Sequence, residues 1–366
     1  MLDSPALRSY DCLMDEITED LSFTDEYGIE KLGAGDSVCF FDIETTGMKS
    51  ASCMIYLIGC VWRDREGWHM KQWFAPDARS EADILRAFLS FAAGFKAIVH
   101  FNGDAFDIPY VRTRAALYGI SADHLPAESI DILKRIRKYK ARLGLENCRQ
   151  KTIETFLGIS REDECGGGEL IPVYYAYTRT RDPKKRDLLL LHNADDVKGL
   201  PRVLNVLSYC DFFEGPFTLA SERARDGVLT LGCSSPTRLP VPCAFDSLGY
   251  RVYCHENIMD VSIPLCSTTL KYFFPDPGEY YYLPLEDMAI HKSVAVYVDK
   301  EHRQKATART CYQKASGDFF VFPKCKDLDI PLFYTEYKKQ PSYAQYREGM
   351  FKDSRLLDIF TKNLLA

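Results

Sequence analysis

The chain has 366 residues, room for two domains at roughly 100–200 residues each, and its 46 % of hydrophobic residues suffice for a sizeable core. No apolar run approaches the ~20 residues that a membrane-spanning helix needs, and the acidic N-terminus lacks the basic-then-apolar pattern of a secretory signal, so a soluble, cytoplasmic protein is expected. Thirteen cysteines cannot all pair internally and include no C-x-x-C; the spacings of Cys233, Cys243, Cys254 and Cys266 fit no common zinc template, which leaves reduced thiols as the reading. The net charge of −6 conceals an uneven distribution. Residues 1–36 carry ten acids against two bases, whereas residues 134–151 carry eight bases against one acid, so an acidic leader precedes a basic patch.

In chain order, the leader lacks periodicity and reads as a tail or a surface-docked segment. Val38–Glu44 is the first strong strand, ended by Thr45-Thr46-Gly47. Strands at 54–63 and 68–75 are joined through Asp64-Arg65-Glu66-Gly67 as a hairpin. Residues 80–93 have helical spacing at Ile84, Leu85, Phe88, Leu89 and Ala92, with Ser80 as N-cap. A short strand at 97–101, a helix at 107–118 closed by Gly119, and a strand at 129–133 follow. Helices are predicted at 152–157 and 183–207, the second with Asp182 as N-cap and Pro183 at its first position, and Gly166-Gly167-Gly168 as a loop between them. The order predicts an α/β domain over 37–209 with a mixed five-stranded sheet flanked by helices. Past Tyr209 short alternating runs predict a smaller β-rich α+β accessory domain over 210–366. Its expected elements are strands at 250–254, 259–263, 270–274 and 280–283, a hairpin at Pro275-Asp276-Pro277-Gly278, and helices at 287–298 and 354–365.

Residues two apart on a strand share a face, so Asp42 and Glu44 project together while Cys39, Phe41 and Ile43 face a core. Two adjacent carboxylates repel unless a proton or cation lies between them, and Mg²⁺ and Mn²⁺ prefer such oxygen ligands. Strand-end acids are also often simply solvated. Two further segments bear on the choice. Asn102-Gly103-Asp104-Ala105-Phe106-Asp107 sits at the carboxyl end of a strand, where Asp107 can face a ligand or merely cap the next helix. His192 and Asp196 are i and i+4 on a helix and share a face, as a surface ion pair also would.

The segments FDIETTG (41–47), HFNGDAFDIPYV (100–111) and HNADDV (192–197) resemble, in order, the three motifs of the DEDD, or DnaQ-like, exonuclease superfamily, most closely its YprB-like ribonuclease H-like branch. The resemblance covers residues 38–205. It implies a ribonuclease H-like fold and a 3′→5′ exonuclease acting on single-stranded RNA or DNA with a free 3′ end. It further implies that Asp42, Glu44, Asp107 and Asp196 hold two divalent cations, Mg²⁺ or Mn²⁺, with His192 as general base. Thr45 and Thr46 would border the terminal nucleotide, Met48 and Phe106 contact its base or sugar, and Asn102 brace the motif loop. The family pairs His with H-x-x-x-x-D and Tyr with Y-x-x-x-D, whereas this chain has His192 at the tyrosine spacing, and Asp195 and Asp104 stay open as rivals to Asp196 and Asp107. Asp131 could support the site or be a solvated strand-end acid.

Lys134, Arg135, Arg137, Lys138, Lys140 and Arg142 follow the fifth strand and could track a phosphate backbone, with Tyr139 stacking on a base; a solvated basic helix is the plainer alternative. Residues 300–314 form a weaker basic stretch, and the aromatic cluster at 272–282 reads as hairpin core. Two other functions compete with the exonuclease: an inactive nucleic-acid-binding scaffold on a nuclease fold, and a ribonuclease H-like endonuclease.

Overall fold

Strand-forming runs buried on both faces demand cover on both sides, and a mixed sheet between two helical layers meets that demand. The structure, a computed structural model, describes residues 14–22, 27–34, 37–123, 125–161, 167–323 and 330–366. The chain divides into two compact units, residues 1–141 with 145–210 and residues 142–144 with 211–366.

The first unit contains strands β1 (Asp15–Leu21), β2 (Val38–Thr45), β3 (Ile55–Arg63), β4 (Trp68–Phe74), β5 (Ala97–His100) and β6 (Glu128–Asp131). Its helices are α1 (Glu81–Ala92), α2 (Asp107–Leu117), α3 (Ile132–Ile136), α4 (Gln150–Leu157), α5 (Gly167–Thr180) and α6 (Pro183–Val203). The sheet order is β1-β4-β3-β2-β5-β6, with parallel pairing only at β2-β5 and β5-β6. One face of β2 sends Cys39, Phe41 and Ile43 into a core closed by Ile84, Leu85 and Phe88 of α1 and Val111 and Ala115 of α2. On the other face Tyr56, Leu57 and Phe74 meet Leu170, Tyr174 and Tyr177 of α5 and Leu189 of α6. The face opposite the first core is the one on which Asp42 and Glu44 stand.

Three expectations for this unit are corrected. The sheet has six strands rather than five, because part of the acidic leader forms β1. Its acids are neutralised from afar: Asp15 by Arg186 (2.7 Å), Glu16 by Lys71 (2.9 Å) and Glu19 by Lys198 (2.8 Å). The glycine loop is also revised, for α5 begins at Gly167, while residue 166 lies outside the described residues. Finally, Asp107 is the first residue of α2 rather than its cap; Phe106 holds the N-cap position. Ser80 occupies the N-cap of α1 without a side-chain cap bond, whereas Asp182 caps α6 through Lys184 N–H at 3.0 Å.

After α7 (Ser208–Glu214), the second unit runs β7 (Thr218–Arg225), β8 (Val228–Ser234), β9 (Cys243–Ser247), β10 (Tyr250–His255), β11 (Ile258–Pro264), β12 (Cys266–Phe273), β13 (Tyr280–Leu283), β14 (Met288–His291), α8 (Lys292–Ala295), β15 (Gln304–Lys305), β16 (Tyr312–Val321), β17 (Leu332–Tyr334), β18 (Tyr343–Gln345) and α9 (Ser354–Leu364). These strands make a five-stranded antiparallel sheet β7-β8-β11-β10-β9, a closed barrel of β12, β16, β18 and β17, and a small sheet β14-β13-β15. The hairpin expected at Pro275–Gly278 is not formed: β12 pairs with β16 and β17, and β13 with β14 and β15. There Asp276 caps a 3-10 turn by accepting from Gly278 N–H at 3.1 Å, which redirects the chain. The helix expected at 287–298 is replaced by β14 and the one-turn α8. Asp287, at φ 52°, forms the left-handed corner leading into β14, and Val294 and Val296 stay exposed. No helix among the described residues is long and apolar enough to cross a membrane.

Candidate active site

Three chain segments meet at one cleft of about 380 Å³, lined by Asp42 and Glu44 of β2, Asn102 and Phe106 before α2, Asp107 at its start, and His192 and Asp196 of α6. The strand alternation places the β2 acids, the end of β5 places the loop at 101–107, and the i, i+4 spacing on α6 turns His192 and Asp196 to the same face. Nε2 of His192 lies 3.3 Å from Oδ2 of Asp196 and 3.5 Å from Oε1 of Glu44. These three residues offer ligand atoms within 4.8 Å of one another, the only such group of acids, histidines or cysteines among the described residues.

Close docking of α6 on the sheet makes this arrangement possible. Asp42 is opposite Gly59 on β3, where a Cβ would lie 2.1 Å from Asn193 Oδ1 and 2.9 Å from Val197. With hydrogen there instead, Asn193 of α6 is fully buried and bridges two strands. Its Oδ1 accepts from Gln72 Nε2 of β4 at 3.0 Å, and its Nδ2 donates to Asp42 Oδ2 at 3.2 Å. The second segment is braced as firmly. Asn102 takes a left-handed φ of 67°, and its N–H donates to Asp131 Oδ1 at 3.0 Å. Asp131 also caps α3 through Lys134 N–H, and buried His100 accepts from Gly103 N–H at 2.9 Å. Asp131 thus supports the loop that carries Asp107.

Two of the cleft's carboxyls are held above their ordinary range. Burial holds the Asp42 carboxyl well above the usual range, and Asp196, Asp107 and Glu44 push it further, against the Asn193 hydrogen bond. Asp107 is pushed up to about 7, chiefly by burial and then by Asp131 and Asp196, although backbone N–H groups oppose the rise. Asp42 and Asp107, with Glu44 and Asp196 in the same cleft, form an all-oxygen donor set that suits hard divalent cations such as Mg²⁺ or Mn²⁺. Asp104 is placed elsewhere: Ser129 and Lys134 hold it, and its carboxyl stays below the usual range because of the Ser129 hydrogen bond. Asp196 lines the cleft, whereas Asp195 lines a neighbouring pocket.

The remaining expected residues separate into groups. Met48, 79 % exposed, stands on the cleft rim with Phe106 and Asn102. Thr45 and Thr46 do not line it. Thr45 Oγ1 donates to Gly47 O (3.0 Å) and Thr46 Oγ1 accepts from Met54 N–H (3.0 Å), so both hydroxyls shape the turn after β2. Lys134 and Arg135 of α3, Arg137 and Lys138 of the 3-10 turn after it, and Lys140 just past that turn are exposed, outside the cleft lining. Tyr139 is buried, with Lys138 Nζ 4.9 Å from its ring centre, and offers no surface for a base to stack on. Arg142 belongs to the second unit, where its guanidinium donates to Leu365 O (2.6 Å) and Ala366 O (2.9 Å) and lies over Phe213 and Phe245. Lys151 of α4, Phe101 and the bracing residues Asn193 and Gln72 were not singled out in the sequence. Lys151 lines the cleft but matches no motif; its only signal was membership of the basic stretch at 134–151.

Residues 39–208 match the family model described as the RNase H superfamily. The uncharacterized protein YprB of Bacillus subtilis (strain 168) is 31 % identical over 173 residues, 45 % of this chain. The chain spans 40 % of the length of that relative. Among solved structures, the family B DNA polymerase of Pyrobaculum calidifontis overlaps 65 % of this chain and 34 % of its own at a TM-score of 0.39 and 15 % identity. E. coli Exonuclease I, in complex with a dT13 oligonucleotide, overlaps 42 % and 43 % at a TM-score of 0.30 and 16 % identity. Both of these overlaps are loose. The family match and the mixed sheet between helical layers agree, and residues 39–208 form an RNase H-like domain.

Proposed function

We propose that this domain is a divalent-cation-dependent 3′→5′ exonuclease that hydrolyses phosphodiester bonds at a free 3′ end of single-stranded nucleic acid. The observation that carries this reading is the convergence of Asp42, Glu44, Asp107 and Asp196 on one cleft, with His192 Nε2 between Glu44 and Asp196. In this reading the four acids hold two Mg²⁺ or Mn²⁺ ions, which when bound supply charge stabilisation to an in-line displacement at phosphorus. His192 takes the proton of the attacking water, a task for which imidazole is suited near neutral pH. Asn193 keeps Asp42 aimed into the cleft, and Asp131 keeps the Asp107 loop in place. Lys151 supplies a cation to the phosphate inside the cleft. Met48 and Phe106 offer apolar surface to the terminal nucleotide, with Asn102 beside them. The exposed Lys134, Arg135, Arg137, Lys138 and Lys140 lead the strand in by phosphate contact. Arg142 and Tyr139 drop out of the substrate path because their side chains are engaged elsewhere.

Polarity and end requirement are tested together with 5′-labelled single-stranded oligonucleotides, RNA and DNA, carrying either a free or a blocked 3′ hydroxyl. The proposal predicts a ladder of single-nucleotide steps from the free end and strong inhibition by the block. Internal cuts in a circular single strand would identify an endonuclease. A mobility shift without product at any divalent-cation concentration would identify a scaffold.

A further inference from the structure

Asp196 is held on both of its oxygens, by partners that differ in kind. Oδ2 faces His192 inside the cleft, while Oδ1 accepts from Arg161 Nη2. Arg161 is absent from the cleft lining and lines the adjoining pocket instead. Its other arm, Nη1, donates to Glu154 Oε2 of α4 at 2.7 Å. Glu154 is 1 % exposed, and its Oε1 accepts from Gln150 Nε2 at 2.9 Å; the same amide donates to the main-chain carbonyl of Asp196, also at 2.9 Å. At Gly199 a Cβ would stand 2.4 Å from Glu154 Oε1, so the absence of a side chain on α6 is what admits the buried acid. Burying a carboxylate without a counter-charge costs several kcal/mol, which ties Glu154 to a cationic partner. A planar guanidinium spans two carboxylates with fixed geometry, which a lysine ammonium cannot do.

Two consequences follow for the cleft. Oδ1 of Asp196 is turned to Arg161, outside the cleft lining, so Oδ2 is the oxygen presented to a cation beside His192. A fixed positive charge also stands directly behind a cluster of four acids, where it opposes the entry of further positive charge.

We propose that Arg161 is a positioning residue of the cation site: it restricts Asp196 to a single ligating oxygen and weakens divalent-cation binding, so that bound ions stay exchangeable. This rests on the reading of the cleft as a cation site given above. The predicted signature is a split between affinity and turnover that a purely structural arginine would not produce.

The test is Mn²⁺ titration of the full-length protein, followed by electron paramagnetic resonance of the free ion, beside turnover on a labelled oligonucleotide. Arg161→Gln combined with Glu154→Gln removes the clamp without leaving the Glu154 carboxylate buried and unpaired. This variant should bind Mn²⁺ at least about tenfold more tightly, the direction set by loss of the positive charge in contact with Asp196, which outweighs the Glu154 charge lost behind it, while turnover at saturating Mn²⁺ falls about tenfold or more. Arg161→Lys keeps the charge but not the fork, and should hold Mn²⁺ affinity within about threefold of wild type while turnover still falls. Wild-type or weaker Mn²⁺ affinity in the double glutamine variant, in a protein whose circular dichroism is unchanged, would overturn the proposal alone. Absence of Mn²⁺ binding by the wild-type protein would overturn the cation-site reading and the proposal with it.

Discussion

Exchanging Asp107 for asparagine separates what the acidic cleft costs from what it does. Asp107 is 5 % exposed, and burial, with Asp131 and Asp196, pushes its carboxyl up to about 7 from an ordinary 3.8. At about 1.4 kcal/mol per pH unit, that gap amounts to about 4 kcal/mol. A carboxyl raised on folding favours the folded state fully below pH 3.8, and the benefit is lost as the pH climbs through about 7. At pH 8 without cations the wild-type protein therefore carries a buried carboxylate that Asp107→Asn lacks, in a side chain of the same shape. Urea unfolding in EDTA, followed by circular dichroism, should show the variant more stable at pH 8 by up to about 4 kcal/mol, with the advantage shrinking toward zero near pH 4. Saturating Mg²⁺ should stabilise the wild type and leave the variant unchanged, and the variant should lack hydrolytic activity. A variant less stable than wild type in EDTA at pH 8, or one whose advantage is equal at pH 4 and pH 8, would refute the electrostatic account of the cleft.

Asn193→Ala should leave the Gln72 amide with its Leu190 O bond alone and free Asp42, lowering stability by about 1–3 kcal/mol and turnover by about tenfold or more; parallel urea and single-turnover measurements check both. Gly59→Ala puts a methyl 2.1 Å from Asn193 Oδ1 and should undock α6 locally, with a loss of about 1–3 kcal/mol and faster amide exchange along α6 relative to α1. Lys134→Gln, Arg137→Gln and Lys140→Gln together should raise KM and flatten the dependence of log affinity on log salt by about 2, three contacts at about 0.7 each for a single strand. A slope equal to that of wild type would mean that the exposed ridge is only solvated.

Much of the first unit was legible because its signals are local. Alternation on β2 put Asp42 and Glu44 opposite a core of Cys39, Phe41 and Ile43, and that core is present with α1 and α2 packed against it. Cap chemistry at Asp182 and Pro183 announced α6 and with it the shared face of His192 and Asp196. Elements that depend on distant partners were not legible. β1 looks like an acidic tail until Arg186, Lys71 and Lys198 neutralise it from elsewhere in the chain. α5 is obscured by Gly167, Gly168 and Pro172, all poor helix formers, and is held by Tyr174 and Tyr177 packing on the sheet. Residues 287–298 have helical spacing, but Asp287 turns the chain and Tyr280–Leu283 captures 288–291 as a strand. The site shows the same division. Its acids and histidine lie in ordered motifs, whereas Lys151, Asn193 and Arg161 gain their meaning only from the neighbours that folding gives them.

The central claim, that three chain segments build one cation-dependent hydrolytic centre, is tested most directly by a single-turnover digest. The substrates are 5′-labelled RNA and DNA oligonucleotides, and wild type is run beside Asp42→Ala with Mg²⁺, Mn²⁺ or EDTA. Stepwise shortening by the wild type that requires the cation and falls at least about a thousandfold in Asp42→Ala is the predicted result, a loss in keeping with removal of a group that acts on the transition state. Cation-stimulated product from Asp42→Ala at the wild-type rate would contradict it.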